Sequence, residues 1–184
     1  MADYSFNEPG PLRHLAINLF NGWGYNFYRK ENQLRADDQL IRSKAAWLLG
    51  VAGASLAAAE ADYRRERIPT PTRAHPYPDP AAVAGAQALE RLGKAVSALV
   101  NRIGAQPVPE NDRMTQRYRF EAATLAALAG RDEVLVGQCE LLRARVEGRD
   151  GAWILGNLAD LETGVAAIEA TLRDRAGVLQ DRAA

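Results

Sequence analysis

The 184-residue chain carries 23 basic and 23 acidic side chains and therefore no net charge. A nucleic-acid-binding protein usually shows a basic surplus or a basic stripe, so the composition argues against a nucleic-acid partner. The length suits a single helical domain spanning residues 1–184, long enough to bury a hydrophobic core without disulfides or metal.

The sequence shows no segment expected to direct the chain into or across a membrane. Its first residues have neither the basic nor the apolar stretch of a secretory signal. The longest run without Asp, Glu, Lys, Arg or His, residues 45–59, is shorter than the roughly 20 apolar residues of a membrane span. Because this run is mostly Ala and Gly, we expect it to form a closely packed core helix. A single cysteine, Cys139, suits a reducing compartment. We therefore expect a cytoplasmic protein with no membrane partner.

Apolar side chains recur at steps of three and four along most of the chain, and no segment alternates as a strand would. A short helix over 11–20 should precede a long one over 34–67. The predicted core-facing stripe of the long helix is Ile41, Ala45, Leu48, Ala52, Leu56, Ala59 and Tyr63. A proline-rich connection, residues 68–80, separates that long helix from the next, predicted over 80–103. Asp79 and Pro80 form a typical N-cap and first helical position at its start.

The tripeptide Gly-Arg-Asp occurs twice in the second half of the chain, at 130–132 and 148–150. Glycine commonly ends a helix and aspartate caps the next, so both copies predict a break between helices. The three predicted helices cover 111–129, 132–147 and 152–181. Their short connections predict antiparallel neighbours. The sequence therefore predicts an all-α fold, an antiparallel bundle of about five main helices plus a short N-terminal helix.

The last predicted helix has the most regular apolar pattern, a 3-4 heptad seam that Arg175 interrupts. The seam consists of Leu158, Leu161, Val165, Ile168, Leu172 and Leu179. Such spacing is typical of coiled-coil packing and equally of an ordinary amphipathic helix in a bundle. The pattern leaves open whether its partner lies in the same chain or in a second one.

Seven of the thirteen aromatic residues lie in the first 28 positions, which makes residues 1–33 an aromatic N-terminal arm. The arm could plug the end of the bundle or dock on a second subunit, since aromatic residues are enriched at interfaces. It could instead line a small-molecule pocket, or stay disordered until a partner binds. A role as a membrane anchor is a weaker hypothesis because the arm has no surplus of basic residues.

A pocket built on this arm would use five side chains as its ligand-binding residues. His14 and Asn18 share one face of the short helix, and Tyr25 extends that face if the helix continues through the glycines. Trp23 and Arg29 complete the predicted set. A pocket of this kind combines apolar surface with a few aimed polar groups.

The sequence contains none of the residue patterns that mark common catalytic or metal sites. It has no Glu-x-x-His pair, no glycine-rich phosphate loop and no Gly-x-Ser-x-Gly elbow. Cys139 lies in an apolar run and is predicted to be a buried structural thiol. We therefore predict no catalytic residue, no metal and no cofactor.

The favoured hypothesis is a non-catalytic cytosolic helical protein that acts through protein–protein contacts, as a homo-oligomer, an adaptor or an assembly factor. The alternative is a small-molecule-binding protein or an enzyme whose site is built on the N-terminal aromatic segment.

Overall fold

A computed structural model describes residues 4–23, 31–73, 76–106 and 121–180. For 31–38, 121–126 and 179–180 it describes the backbone only. Within these ranges the chain is helical and contains no strand, which confirms the predicted all-α class. The helices are α1 (Pro9–Gly22), α2 (Glu31–Arg67), α3 (Pro80–Gly104), α4 (Glu121–Val146), α5 (Gly151–Gly156) and α6 (Leu158–Gln180).

Helices α2 and α3 form an antiparallel hairpin joined by the predicted proline-rich connection. Arg64 Nη2 lies 3.1 Å from Glu90 Oε2 at one end of the pair. At the other end Arg42 Nη1 donates to the carbonyl of Gln106 at 3.0 Å. Tyr63, the last residue of the stripe predicted for α2, is half-buried and packs against the core. The other six residues of that stripe are buried, as predicted: Ile41, Ala45, Leu48, Ala52, Leu56 and Ala59. The small side chains in this stripe let the two helices approach closely.

The start of α3 also agrees with the sequence. The Asp79 carboxylate accepts a hydrogen bond of 3.0 Å from the backbone N–H of Ala81, with Pro80 in the first helical turn. This side chain therefore satisfies one of the amides that an α-helix leaves without an internal partner.

The predicted break at the first Gly-Arg-Asp is wrong, because α4 runs through residues 130–132 without interruption. A glycine inside a helix costs only about 1 kcal/mol relative to alanine, which tertiary packing can offset. Asp132 is 3 % exposed and its carboxylate accepts a 2.9 Å hydrogen bond from Arg175 Nε, so it caps no helix here. Residues 111–120 of the predicted third helix lie outside the described residues.

The second Gly-Arg-Asp does separate two helices, as predicted. Gly148 adopts a φ of 67°, and the Asp150 carboxylate caps α5 by accepting from the Trp153 N–H at 2.7 Å. The single helix predicted from 152 to 181 is wrong, because the chain is interrupted at Asn157 between α5 and α6. Asn157 Nδ2 donates to the Trp153 carbonyl at 2.8 Å, a local contact by which asparagine competes with helical hydrogen bonds.

Helices α4 and α6 pack antiparallel, and polar contacts mark the pairing along their length. Arg175 meets Asp132 near one end, Thr171 donates to Gln138 at 2.9 Å further along, and Arg145 pairs with Asp160 near the other end. Arg175 interrupts the apolar seam of α6, and its partner is Asp132, the aspartate of the first Gly-Arg-Asp.

The N-terminal segment, residues 4–22 including α1, packs on α4 and α6 of its own chain. Phe6 is 2 % exposed, and its ring occupies the space that a side chain at Gly164 would need, only 2.5 Å from an added Cβ. Gln138 Nε2 donates to the Phe6 carbonyl at 3.0 Å, and Arg145 Nη2 donates to the Tyr4 carbonyl at 2.8 Å. The buried Gln138 and the half-buried Arg145 thus hold the backbone of this segment.

Helix α1 approaches α4 as closely as backbone allows. A Cβ added at Gly137 would lie 2.2 Å from the carbonyl oxygen of Leu12. Because that oxygen belongs to the backbone, no change of side-chain rotamer could relieve the clash. The buried face of α1 consists of Leu12, Ala16 and Phe20. Glycine at position 137 is therefore required for α1 to dock in this position.

Candidate functional site

The predicted pocket residues of the arm do not share one environment. His14 and Asn18 are exposed on α1, and His14 Nδ1 lies 3.0 Å from the Gly10 carbonyl of its own helix. Trp23 is half-buried at the end of α1 and contacts the bundle. Tyr25 and Arg29 lie outside the described residues. The small-molecule site predicted on these five residues therefore stays a prediction.

Trp23 belongs to a surface cluster that includes Lys44 and Trp47 of α2, and we call these three residues the tryptophan patch. The Trp23 ring lies edge-on to Phe20 at 5.3 Å and to Trp47 at 6.1 Å between ring centroids. Lys44 Nζ lies 4.5 Å from the centroid of Trp23 and 5.9 Å from that of Trp47. Both separations are within the range of cation–π attraction.

Sequence reasoning missed this patch because it treated the alanine-rich run from residue 45 to 59 as a closely packed core helix. Trp47 is 55 % exposed, although Ala45 and Leu48 beside it are fully buried. A signal was available: Lys44 and Trp47 are spaced i, i+3 and therefore share a helix face. That face lies beside the buried stripe of α2.

The pair formed by Asp132 and Arg175 is deeply buried, with 4 % and 0 % of the two side chains exposed. Burial raises the pKa of Asp132, and this effect outweighs the nearby positive charge of Arg42, which acts to lower that pKa. Burial also lowers the pKa of Arg175. Both shifts reflect the loss of water around a charge, and the hydrogen bond between the two groups offsets part of that loss. Neither side chain is accessible to a substrate, and we assign the pair a structural role.

Cys139 on α4 is fully buried, which confirms the predicted structural thiol. Burial raises the pKa of this thiol, and the negative charge of Glu140 raises it further. Because the thiolate is the nucleophilic form of cysteine, this environment suppresses its reactivity. Within the part of the chain that the structure describes, no group of three His, Cys, Asp or Glu side chains is placed to hold a metal ion.

The chain was also compared with known proteins. No protein-family model matches it, and no curated protein or solved structure matches it either. Over the described ranges, none of the helices combines the length and apolarity needed to cross a membrane.

Proposed function

We propose that this is a non-catalytic helical protein that acts through protein–protein contacts, as a homo-oligomer, an adaptor or an assembly factor, with the tryptophan patch as its contact surface. The observation behind the proposal is the 55 % exposure of Trp47 on a rigid helix. Tryptophan is enriched among the few residues that dominate binding energy at protein interfaces.

The buried face of α2 fixes the direction in which Trp47 projects. Trp47 extends from a stretch of α2 whose neighbouring residues Ala45, Leu48 and Leu49 are fully buried, so the helix cannot rotate to hide it. Contacts with Trp23 and Lys44 further restrict the ring. Because little side-chain freedom remains to be lost, association on this surface costs less conformational entropy than on a mobile one.

The chemistry of the patch indicates the kind of partner surface that fits it. Two indole edges offer apolar area, and the ammonium group of Lys44 lies beside them. A complementary surface would place an apolar side chain against Trp47 and a carboxylate near Lys44, because opposite charges favour the correct alignment of two surfaces. A second copy of this chain and a different protein are both compatible with that description.

The test is the full-length Trp47→Ala variant compared with Tyr77→Ala. Tyr77 is 86 % exposed in the proline-rich connection and serves as a matched control for the loss of an exposed aromatic ring. Native mass spectrometry and sedimentation velocity across a concentration series give the assembly state. Cross-linking followed by capture from cell extract gives the bound proteins.

We expect Trp47→Ala to weaken self-association, or capture of the same partner, about 30-fold, as for a hot-spot residue worth about 2 kcal/mol. Tyr77→Ala should behave as wild type. Circular dichroism should show equal helicity for all three proteins. Identical assembly mass and identical captured proteins for wild type and Trp47→Ala would refute the proposal.

A further inference from the structure

We propose that the groove between the N-terminal segment, α4 and α6 binds a small organic carboxylate with an apolar body. This site is separate from the tryptophan patch and adds a ligand to the proposed interaction role. The groove has a volume of about 550 Å³, within the range usual for small-molecule sites.

Half of the residues that line the groove have apolar side chains. Three structural units contribute them, so the site exists only when the N-terminal segment is docked. The apolar lining includes Pro9, Leu12, Ala127, Val134, Ala167 and Ala170. Contact with side chains of this type favours the hydrocarbon part of a ligand over water by about 25 cal/mol for each Å² buried.

The groove also contains two positioned polar groups, Gln138 and Thr171, which are 3 % and 9 % exposed. Thr171 Oγ1 donates to Gln138 Oε1 at 2.9 Å, and this hydrogen bond fixes the orientation of the amide. The amide nitrogen donates to the Phe6 carbonyl at 3.0 Å. These groups restrict the part of the groove where an apolar ligand group can lie, because covering a polar group without a hydrogen bond is costly.

Two guanidinium groups define the charged side of the groove. A Cβ added at Gly130 would lie 3.2 Å from Arg13 Nη2, so Arg13 lies across α4 where glycine leaves room for it. This position is beside Arg131, which also lines the groove and donates from Nη1 to the Ala127 carbonyl at 2.9 Å. The guanidinium groups of α1 and α4 therefore face the same opening.

The acidic groups nearby favour a ligand with one negative charge over one with several. Asp174 also lines the groove, and Glu133 lies 3.7 Å from Arg13 Nε. A carboxylate can accept two parallel hydrogen bonds from a guanidinium group. A phosphate would bring a second charge toward Asp174. We therefore assign the ligand as a monocarboxylate.

The full-length protein provides a direct test with three eight-carbon probes used below their aggregation concentrations: octanoate, octylamine and octanol. Isothermal titration calorimetry should show saturable binding of one octanoate per chain and at least tenfold weaker binding of octylamine and octanol. Arg13→Ala and Arg131→Ala should each weaken octanoate binding about tenfold, as expected for a hydrogen bond to a charged group.

Two further variants separate this site from general attraction of anions to the surface. Arg65→Ala removes an exposed arginine that pairs with Asp62 at the end of α2 and should leave octanoate binding unchanged. Ala170→Phe fills the groove while keeping every charge and should abolish binding. Helicity and urea unfolding check that each variant remains folded.

Ligand binding should also stabilise the docked N-terminal segment, since that segment supplies part of the groove. Octanoate should slow hydrogen exchange at the backbone amides of residues 6–20. The expected factor is one plus the ratio of the free octanoate concentration to its dissociation constant. Octanoate binding that does not saturate, that octylamine matches, or that Arg65→Ala weakens as much as Arg13→Ala would overturn the proposal.

Discussion

The two Gly-Arg-Asp segments have the same sequence and opposite structures. Residues 130–132 continue α4 through its middle, whereas residues 148–150 separate α4 from α5. Gly148 has a φ of 67°, a conformation that favours glycine, and Gly130 is helical. A tripeptide that can end a helix does so at only one of its two positions.

The aspartates show what makes the difference. Asp150 is exposed, and its nearest partner is the amide of Trp153, three residues later. Asp132 finds its partner 43 residues away, where Arg175 projects from α6 into the same buried space. Capping requires a hydrogen bond from the side chain to a nearby backbone amide. The Asp132 carboxylate instead accepts its hydrogen bond from Arg175. The environment supplied by the rest of the fold decides which structure forms.

Removing the buried partner should have the larger effect. Asp132→Ala deletes the carboxylate that accepts from Arg175 inside the core, and breaking a buried pair in this way typically costs about 3–5 kcal/mol. Urea unfolding followed by circular dichroism should show that loss. The double variant Asp132→Ala with Arg175→Met should recover much of it, because neither position then leaves an unpaired buried charge. A single-variant loss below about 1 kcal/mol would show that this pair does not hold α4 to α6.

Removing the local cap should have a smaller effect. Asp150→Ala deletes the acceptor for the Trp153 amide and should lower the free energy of unfolding by about 1 kcal/mol. Asp150→Ser can still cap the helix and should restore most of that stability. A loss from Asp150→Ala that equals that from Asp132→Ala would remove the distinction between the two segments.

The two glycines should respond with opposite signs to the same substitution. Gly148→Ala places a side chain at positive φ and should lower stability by about 1 kcal/mol. Gly130→Ala should raise it by about 0.5 kcal/mol through helix propensity. The new Cβ would approach the end of the Arg13 side chain, which is half-exposed and can move aside. Melting temperatures of the two variants measured side by side decide whether the signs differ.

The features predicted from sequence are those that neighbouring residues determine. Spacing alone predicted the buried stripe of α2, and the Asp79-Pro80 pair predicted the start of α3. The exposure of Trp47 depends on which helices surround α2, and the run of alanines around it carries no information on that point. That the domain extends over residues 1–184 remains a prediction.

The candidate site was less predictable for the same reason. The aromatic composition of the arm predicted a pocket or an interface there, and Trp23 does lie in the tryptophan patch. The groove instead uses Arg13 and Leu12, the residues just before His14 on α1, together with Gln138 and Thr171. Which face of α1 meets α4 is set by Gly137, and its closeness to Leu12 has no local signal in the sequence.

The docking of the N-terminal segment has a consequence for the order of events during synthesis. Phe6 and its hydrogen-bond partner Gln138 are 132 residues apart. At about 5–20 residues per second, translation reaches Gln138 roughly ten seconds after Phe6. The apolar face of α1, formed by Leu12, Ala16 and Phe20, therefore has no α4 to pack against until α4 has been synthesised. The hairpin of α2 and α3, made from neighbours in sequence, can form earlier, whereas the N-terminal segment can dock only after α4 and α6 have been synthesised.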